Sequence, residues 1–162
     1  MSAVAARADY RDMPLPHFAR SPRAVLVAAV VLVLTSPVVT WWLVGDLTEP
    51  GIVDPDYMFR PLPLSHGVEV GLGIAATLAA VASMYMLVAA FRAGVVDRAW
   101  SPVVVFPALA GVVIGFSWRG LTVGVIGANI GGGLILLGGP LVVLALVTAA
   151  VASGSAARRR GR

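Results

Sequence analysis

The chain has 162 residues, 59% of them hydrophobic, with 12 basic and 8 acidic side chains. That charge density is about half that of an ordinary soluble domain, and with a mean hydropathy of +0.91 it excludes a water-soluble globule. Cysteine is absent, which removes disulfide frameworks, thiol redox chemistry, thiolate metal sites and palmitoylation together. Every basic residue is Arg, and the net charge of +4 reflects where those Arg stand along the chain rather than a nucleic-acid surface.

A bilayer-spanning helix needs roughly 20 apolar residues, and an ionised side chain at mid-membrane costs about 3 kcal/mol on insertion scales. Charges therefore fence the spans. Uncharged runs separate Arg23 from Asp46, Glu69 from Arg92, Arg98 from Arg119, and Arg119 from Arg158. These predict an all-α, integral membrane four-helix bundle with helices at 24–44, 68–91, 99–118 and 121–152. Residues 1–23 form a basic arm, 45–67 an outer loop and 153–162 an Arg-rich tail, with arm and tail expected to be flexible.

The first run is read as an uncleaved span. It is longer than a signal-peptide core of about 7 to 15 residues, Asp9 and Asp12 precede it, and Thr40-Trp41-Trp42-Leu43 offers no small-residue cleavage site. Orientation follows from the Arg beside each span. Arg7, Arg11, Arg20 and Arg23, then Arg92 and Arg98, then Arg158, Arg159, Arg160 and Arg162 share one side. That side is expected to be the cytoplasm, where the Arg-rich ends would meet anionic lipid headgroups. Arg60, Arg119 and the acidic loop residues Asp46, Glu49, Asp54 and Asp56 fall outside. Trp41, Trp42 and Trp118 mark the outer boundary, and Phe91 and Trp100 the inner one. Tyr85 falls within the second span, where its hydroxyl would seek an acceptor on another helix or a backbone carbonyl.

Small residues let helix backbones approach in lipid. Gly73, Ala76, Ala80 and Ser83 supply such a face on the second helix, and Ala108, Gly111 and Gly115 on the third. Gly120, Gly124, Ala128 and Gly132 supply one on the fourth, so the third and fourth helices are expected to form a tight antiparallel hairpin along their glycines. The fourth stretch, about 48 Å long at 1.5 Å per residue, exceeds a hydrocarbon core of about 30 Å. It should be kinked or broken at Gly131-Gly133 or at Gly138-Pro140, or begin as a short outer segment, and a milder bend is expected at Pro37. In the loop, the spacing of Pro50, Pro55, Pro61 and Pro63 disfavours helix and sheet; Asp54-Pro55-Asp56 reads as a turn and Phe59–Leu64 as an apolar lid over the helix ends.

Intramembrane polar residues are the candidates for function. Arg119 and Glu69 lie at the same outer level, close enough in expectation to pair, and Asn129 stands among glycines. The bland alternative is architectural: Arg119 reaching phosphate or capping the hairpin, Glu69 favouring its own helix terminus, Asn129 bonding a neighbouring helix. The stretch from Arg119 to Gly133 resembles the Arg and Gly-flanked Asn of four-span fluoride channels, which would imply ion passage. In that family the Asn lies in an early span, and the pore Phe pair has no counterpart here. Small multidrug transporters also have four spans, with a membrane Glu in a first helix that is uncharged here.

His17 and His66 fall on opposite sides, which rules out bis-His haem ligation within one chain, and nothing fixes His66 near Asp54 and Asp56 as a metal site. Neither H-E-x-x-H, G-x-S-x-G nor a Walker loop occurs. Trp41-Trp42-Leu43-Val44-Gly45-Asp46, Asp56-Tyr57 and Trp118-Arg119-x2-Thr122-x-Gly124-x2-Gly127-Ala128-Asn129-Ile130-Gly131 carry a further resemblance. The chain resembles a group of small uncharacterised four-span membrane proteins of high-G+C Gram-positive bacteria, which implies the topology and no activity. The expectation is a multi-pass, non-enzymatic plasma-membrane protein without metal or cofactor, a structural or accessory subunit forming a homo-oligomer or joining a larger complex. The alternative is a small ion channel or transporter using Glu69, Arg119 and Asn129.

Overall fold

Chain punctuation sets the helix ends in the computed structural model, which describes residues 21–160. Helix α1 (Pro22–Val44) opens with Pro at its first position, where the missing N–H costs nothing, and stops at Gly45, whose φ of +70° suits glycine. Helix α2 (His66–Arg92) starts two residues before the expected Val68, because the Ser65 hydroxyl accepts the Val68 N–H. It ends in a Schellman motif: Gly94, at φ +69°, donates to the Phe91 carbonyl, and Val95 to that of Ala90. A single 3-10 turn, Arg98–Trp100, capped by the Asp97 carboxylate, leads into α3 (Ser101–Leu121).

Helix α4 (Ile130–Arg160) extends beyond the expected C-terminal end, and at its start takes the second of the two expected forms, a short separate segment followed by the span. It begins at Ile130 rather than Leu121, so residues 122–129 form a separate connection at the acidic end. Gly131, Gly132 and Gly133 lie in its first turn instead of breaking it, and the helix continues through Gly138, Gly139 and Pro140. The tail is helical as far as Arg160, where three successive Arg favour the negative helix end. The arm's Arg7, Arg11, Arg20 and His17, with Arg162, lie outside the described residues.

The packing neighbours run in the order α2, α1, α3, α4, leaving α1 and α3 central. The Trp42 ring near the end of α1 lies on Gly73 near the start of α2, so these helices are antiparallel. Advancing along α3 from Gly111 to Gly115 advances along α1 from Ser36 and Pro37 to Thr40, so α1 and α3 are parallel. Gly120 faces Ile135, Gly139 faces Ser117 and Gly154 faces Val103, which makes α3 and α4 antiparallel. All four helices are long and apolar enough to cross a membrane. One end of the protein accordingly carries Arg23, Arg92, Arg98 and Arg158 to Arg160, and the other the acidic loop with Glu69, Arg60 and Arg119.

Gly73, Ala76 and Ser83, with Leu87 and Ala90, are buried on α2, and partly buried Ala80 packs beside them. Their alternation of three- and four-residue steps is the seam expected when helices meet through small side chains. The α3 seam differs from expectation. Gly111 and Gly115 pack against α1, not α4. Pro37 cannot donate to the Val33 carbonyl, and that oxygen lies 3.3 Å from where a Gly111 Cβ would sit. A Cβ on Gly115 would strike the Pro37 carbonyl and come within 2.9 Å of Thr40 Cβ. Hydroxyls close to this contact bond back into their own helix, Ser36 to the Leu32 carbonyl at 2.6 Å and Thr40 to that of Ser36 at 2.9 Å. Neither therefore leaves a donor stranded in hydrocarbon.

Gly115→Ala should destabilise the protein by about 2 kcal/mol, since its new methyl meets backbone that cannot repack. Gly138→Ala, which meets nothing within 4 Å, should be neutral or stabilise by up to about 1 kcal/mol. Reversible unfolding in bicelles compares the two, and equal effects would contradict the close α1–α3 approach.

Candidate functional site at the clasped outer end

Three helix termini meet at the acidic end: the last turn of α1, the first turn of α2 and the last turn of α3. Arg119 is at the centre, with only 8% of its surface exposed. Its Nε donates to the Trp41 carbonyl at 2.7 Å, an NH2 hydrogen goes to Glu69 Oε1, and its guanidinium carbon lies 4.4 Å from the centroid of the Trp41 ring. The carbonyl it engages belongs to the C-terminal turn of α1, whose last C=O groups have no helical donor. One planar side chain thus supplies an ion pair, a cap and a cation–π contact.

Electrostatics favour this location independently of the pairing. Glu69 stands in the first turn of α2 and Arg119 in the last turn of α3, so each charge opposes the partial charge of its own helix end. The sequence expectation that the two would pair is met. Trp41 as a third partner was not apparent from the sequence, which assigned it to the membrane boundary; the signal available was its position, one helical end away from Arg119 and beside the Gly45 terminator.

Asn129 has a different place. Its Oδ1 accepts the Gly132 N–H at 2.6 Å and its carbonyl accepts the Gly133 N–H at 3.0 Å, the geometry of a helix N-cap. A Cβ on Gly132 would come within 2.9 Å of the Asn129 side-chain amide, so a larger residue there would displace the capping group. Asn129 Nδ2 is buried and has no hydrogen-bond partner. Among the described residues no hydrogen bond joins Asn129 to Glu69 or Arg119, so the structure unites two of the three candidate polar residues and gives the third to α4.

The remaining small residues of the fourth segment also have other neighbours than expected. Gly124 lies in a two-residue strand, β2 (Gly124–Val125), antiparallel to β1 (Asp56–Tyr57), with Asp56 opposite Val125 and Tyr57 opposite Gly124. Proline spacing had disfavoured any sheet there, but this pair is short enough to fit between Pro55 and Pro61. Thr48 Oγ1 accepts the Gly124 N–H at 3.1 Å, and a Gly124 Cβ would crowd Pro55 and Tyr57. Ala128 is exposed in the connection rather than on a helix seam; Gly120 alone of the expected fourth-segment set packs across the hairpin, against Ile135. Phe59 stacks on Trp118 with ring centroids 6.5 Å apart, and its N–H donates to the Leu121 carbonyl. The outer loop is therefore pinned over the α3–α4 connection, as the lid reading anticipated for Phe59. Tyr85 departs from expectation: it is 65% exposed on the outward side of α2 and turned away from the other helices.

Among the described residues no group of three or more His, Asp or Glu side chains is arranged to hold a metal ion. Comparison with protein-family models, curated proteins and solved structures finds no match. Fold and site together define a predominantly helical protein with four helices long and apolar enough to cross a membrane, whose acidic end is fastened by a buried ion pair.

A double-mutant cycle tests the clasp. Glu69→Ala and Arg119→Ala should each cost about 3 kcal/mol, the low end for breaking a buried pair because Glu69 keeps 29% of its side chain exposed. The double variant should lose well under the sum of the two, and strictly additive losses in bicelle unfolding would show that no coupling exists.

Proposed function

We propose that this protein is a non-enzymatic structural or accessory subunit of the plasma membrane, with both chain ends in the cytoplasm. The observation that supports this reading is the occupation of Arg119, whose hydrogen bonds go to Glu69 and to the Trp41 backbone. The most buried charge among the described residues is thereby committed to joining α1, α2 and α3. The Asn129 side-chain carbonyl caps the start of α4, its Nδ2 alone being without a partner, and the hydroxyls of Thr35, Thr77 and Thr148 bond to carbonyls of their own helices.

Lateral association is supported by the outward face of α4. Ile130, Leu134, Leu137, Leu141, Leu144 and Val151 are all more than 60% exposed, with Thr148 completing alternating steps of four and three residues. Such a repeat matches the left-handed seam by which helices pack in membranes. Its proposed occupant is a transmembrane helix of a partner subunit. The orientation is supported by the concentration of Arg at one end of the four helices, since basic residues resist translocation.

Purification in mild detergent should yield a stoichiometric membrane partner that is lost from the Leu137→Ala/Leu144→Ala variant while the chain stays folded. Ion flux in liposomes that requires Arg119 or Asn129 would overturn the accessory reading in favour of a channel or transporter. Reporters fused to either chain end should be active only in the cytoplasm, and external activity would reverse the orientation.

A further inference from the structure

At the Arg-rich end, on the side of the protein opposite the clasp, α1, the end of α2 and the start of α3 leave a groove of about 450 Å3 between them. Leu26, Val30 and Leu34 form its wall on α1, and Phe91, Trp100 and Val104 close it from α2 and α3. The volume lies within the range of about 300–1,000 Å3 typical of small-ligand sites. The lining is almost wholly apolar, so an occupant inside it must be hydrocarbon.

Its length and its mouth narrow the choice of occupant. From Pro22 to Leu34 the groove follows α1 for about 18 Å at 1.5 Å per residue. Half of a hydrocarbon core of about 30 Å is about 15 Å, so the groove begins at the basic end and stops near the bilayer midplane. A transmembrane partner helix would need the full depth, whereas one leaflet's acyl chain needs half. At the same end of the helices, Arg23 follows the lining Pro22 in the chain, Arg92 follows Phe91, and Arg98 opens the 3-10 turn that carries Trp100; none of the three lines the groove itself, but all lie one or two residues from a residue that does. All three Arg are exposed and make no ion pair among the described residues. The nearby Asp97 carboxylate is engaged by the Ala99 N–H. A concave apolar track one leaflet deep, at the end of the helix row that also carries three exposed Arg without ion-pair partners among the described residues, matches a diacyl lipid with an anionic phosphate headgroup.

We propose that this groove is a binding site for one anionic phospholipid, with an acyl chain along Leu26, Val30 and Leu34 and the phosphate among Arg23, Arg92 and Arg98. Headgroup charge supplies the selectivity and the groove supplies the saturable stoichiometry, which separates this site from the general annulus of lipid around the helices.

Native mass spectrometry of the detergent-purified full chain, titrated with phosphatidylglycerol and with phosphatidylcholine of the same acyl chains, tests it. One phosphatidylglycerol should bind saturably and at least tenfold more tightly than phosphatidylcholine. Arg92→Ala/Arg98→Ala should bring the two lipids to similar affinity. Val30→Trp, at a position 48% exposed and therefore tolerant of a larger side chain, should fill the groove and lower retention of both. Leu34→Trp, at 67% exposure, repeats the test deeper in the track, and circular dichroism with gel filtration verifies that each variant is folded. Equal binding of the two lipids to the unmodified chain would overturn the proposal. So would phosphatidylglycerol retention unchanged by a groove-filling Trp, or a dimer that occludes the groove and takes up no lipid.

Discussion

A guanidinium withdrawn from water must be surrounded by partners, and meeting that demand at Arg119 organises the acidic half of this protein. Its partners come from two other helices: a carboxylate from α2, and a backbone carbonyl and aromatic face from α1. No pair of helices could satisfy it alone. The arrangement also uses the ends of α2 and α3 where the helix dipoles already favour those charges. Buried ion pairs often contribute little net stability compared with apolar packing, but an uncompensated buried charge is costly. The clasp therefore acts chiefly against arrangements in which α1, α2 and α3 meet in another register.

Below the clasp, charge gives way to close approach. Lipid chains solvate leucine as well as a neighbouring helix does, so contact area counts only where backbones come near. The α1–α3 contact achieves this with an unusual match: α1 carries a proline-relieved carbonyl and a bend-prone turn at Pro37, and α3 presents Gly111 and Gly115 to it. On the other side of α1, the ring of Trp42 lies on Gly73. Helix α4 stands at the edge of the row, with α3 its principal neighbour among the long helices, which leaves its leucine-rich side free for lipid or protein.

The two ends of the molecule differ in chemistry as well as charge. Ordered loop structure covers the acidic end, where β1 and β2 pair and Phe59 rests on Trp118. At the basic end α1, α2 and α3 leave an apolar groove between them, and the Arg at that end are exposed. Glu69 and Arg119 at the first end are turned inward to each other, and the Arg side chains at the second are exposed.

Hydropathy and charge placement were sufficient to determine four spans, their alternation and the segregation of Arg, because the transfer cost of each segment into hydrocarbon is a local property of composition. The Glu69–Arg119 pair was legible for the same reason, as two charges held at one depth by the spans that carry them. The start of α4 was not legible: apolarity continues unbroken from Leu121 into the helix, and only the pairing of Gly124 with Tyr57, together with the Asn129 cap, draws residues 122–129 out of helical form. Nor could sequence tell which neighbour Gly111 and Gly115 face, since a small-residue stripe specifies that a backbone comes near without specifying whose. That choice, the role of Trp41 and the groove beside α1 were decided by how the helices lie against one another, which depends on contacts between residues far apart in the chain.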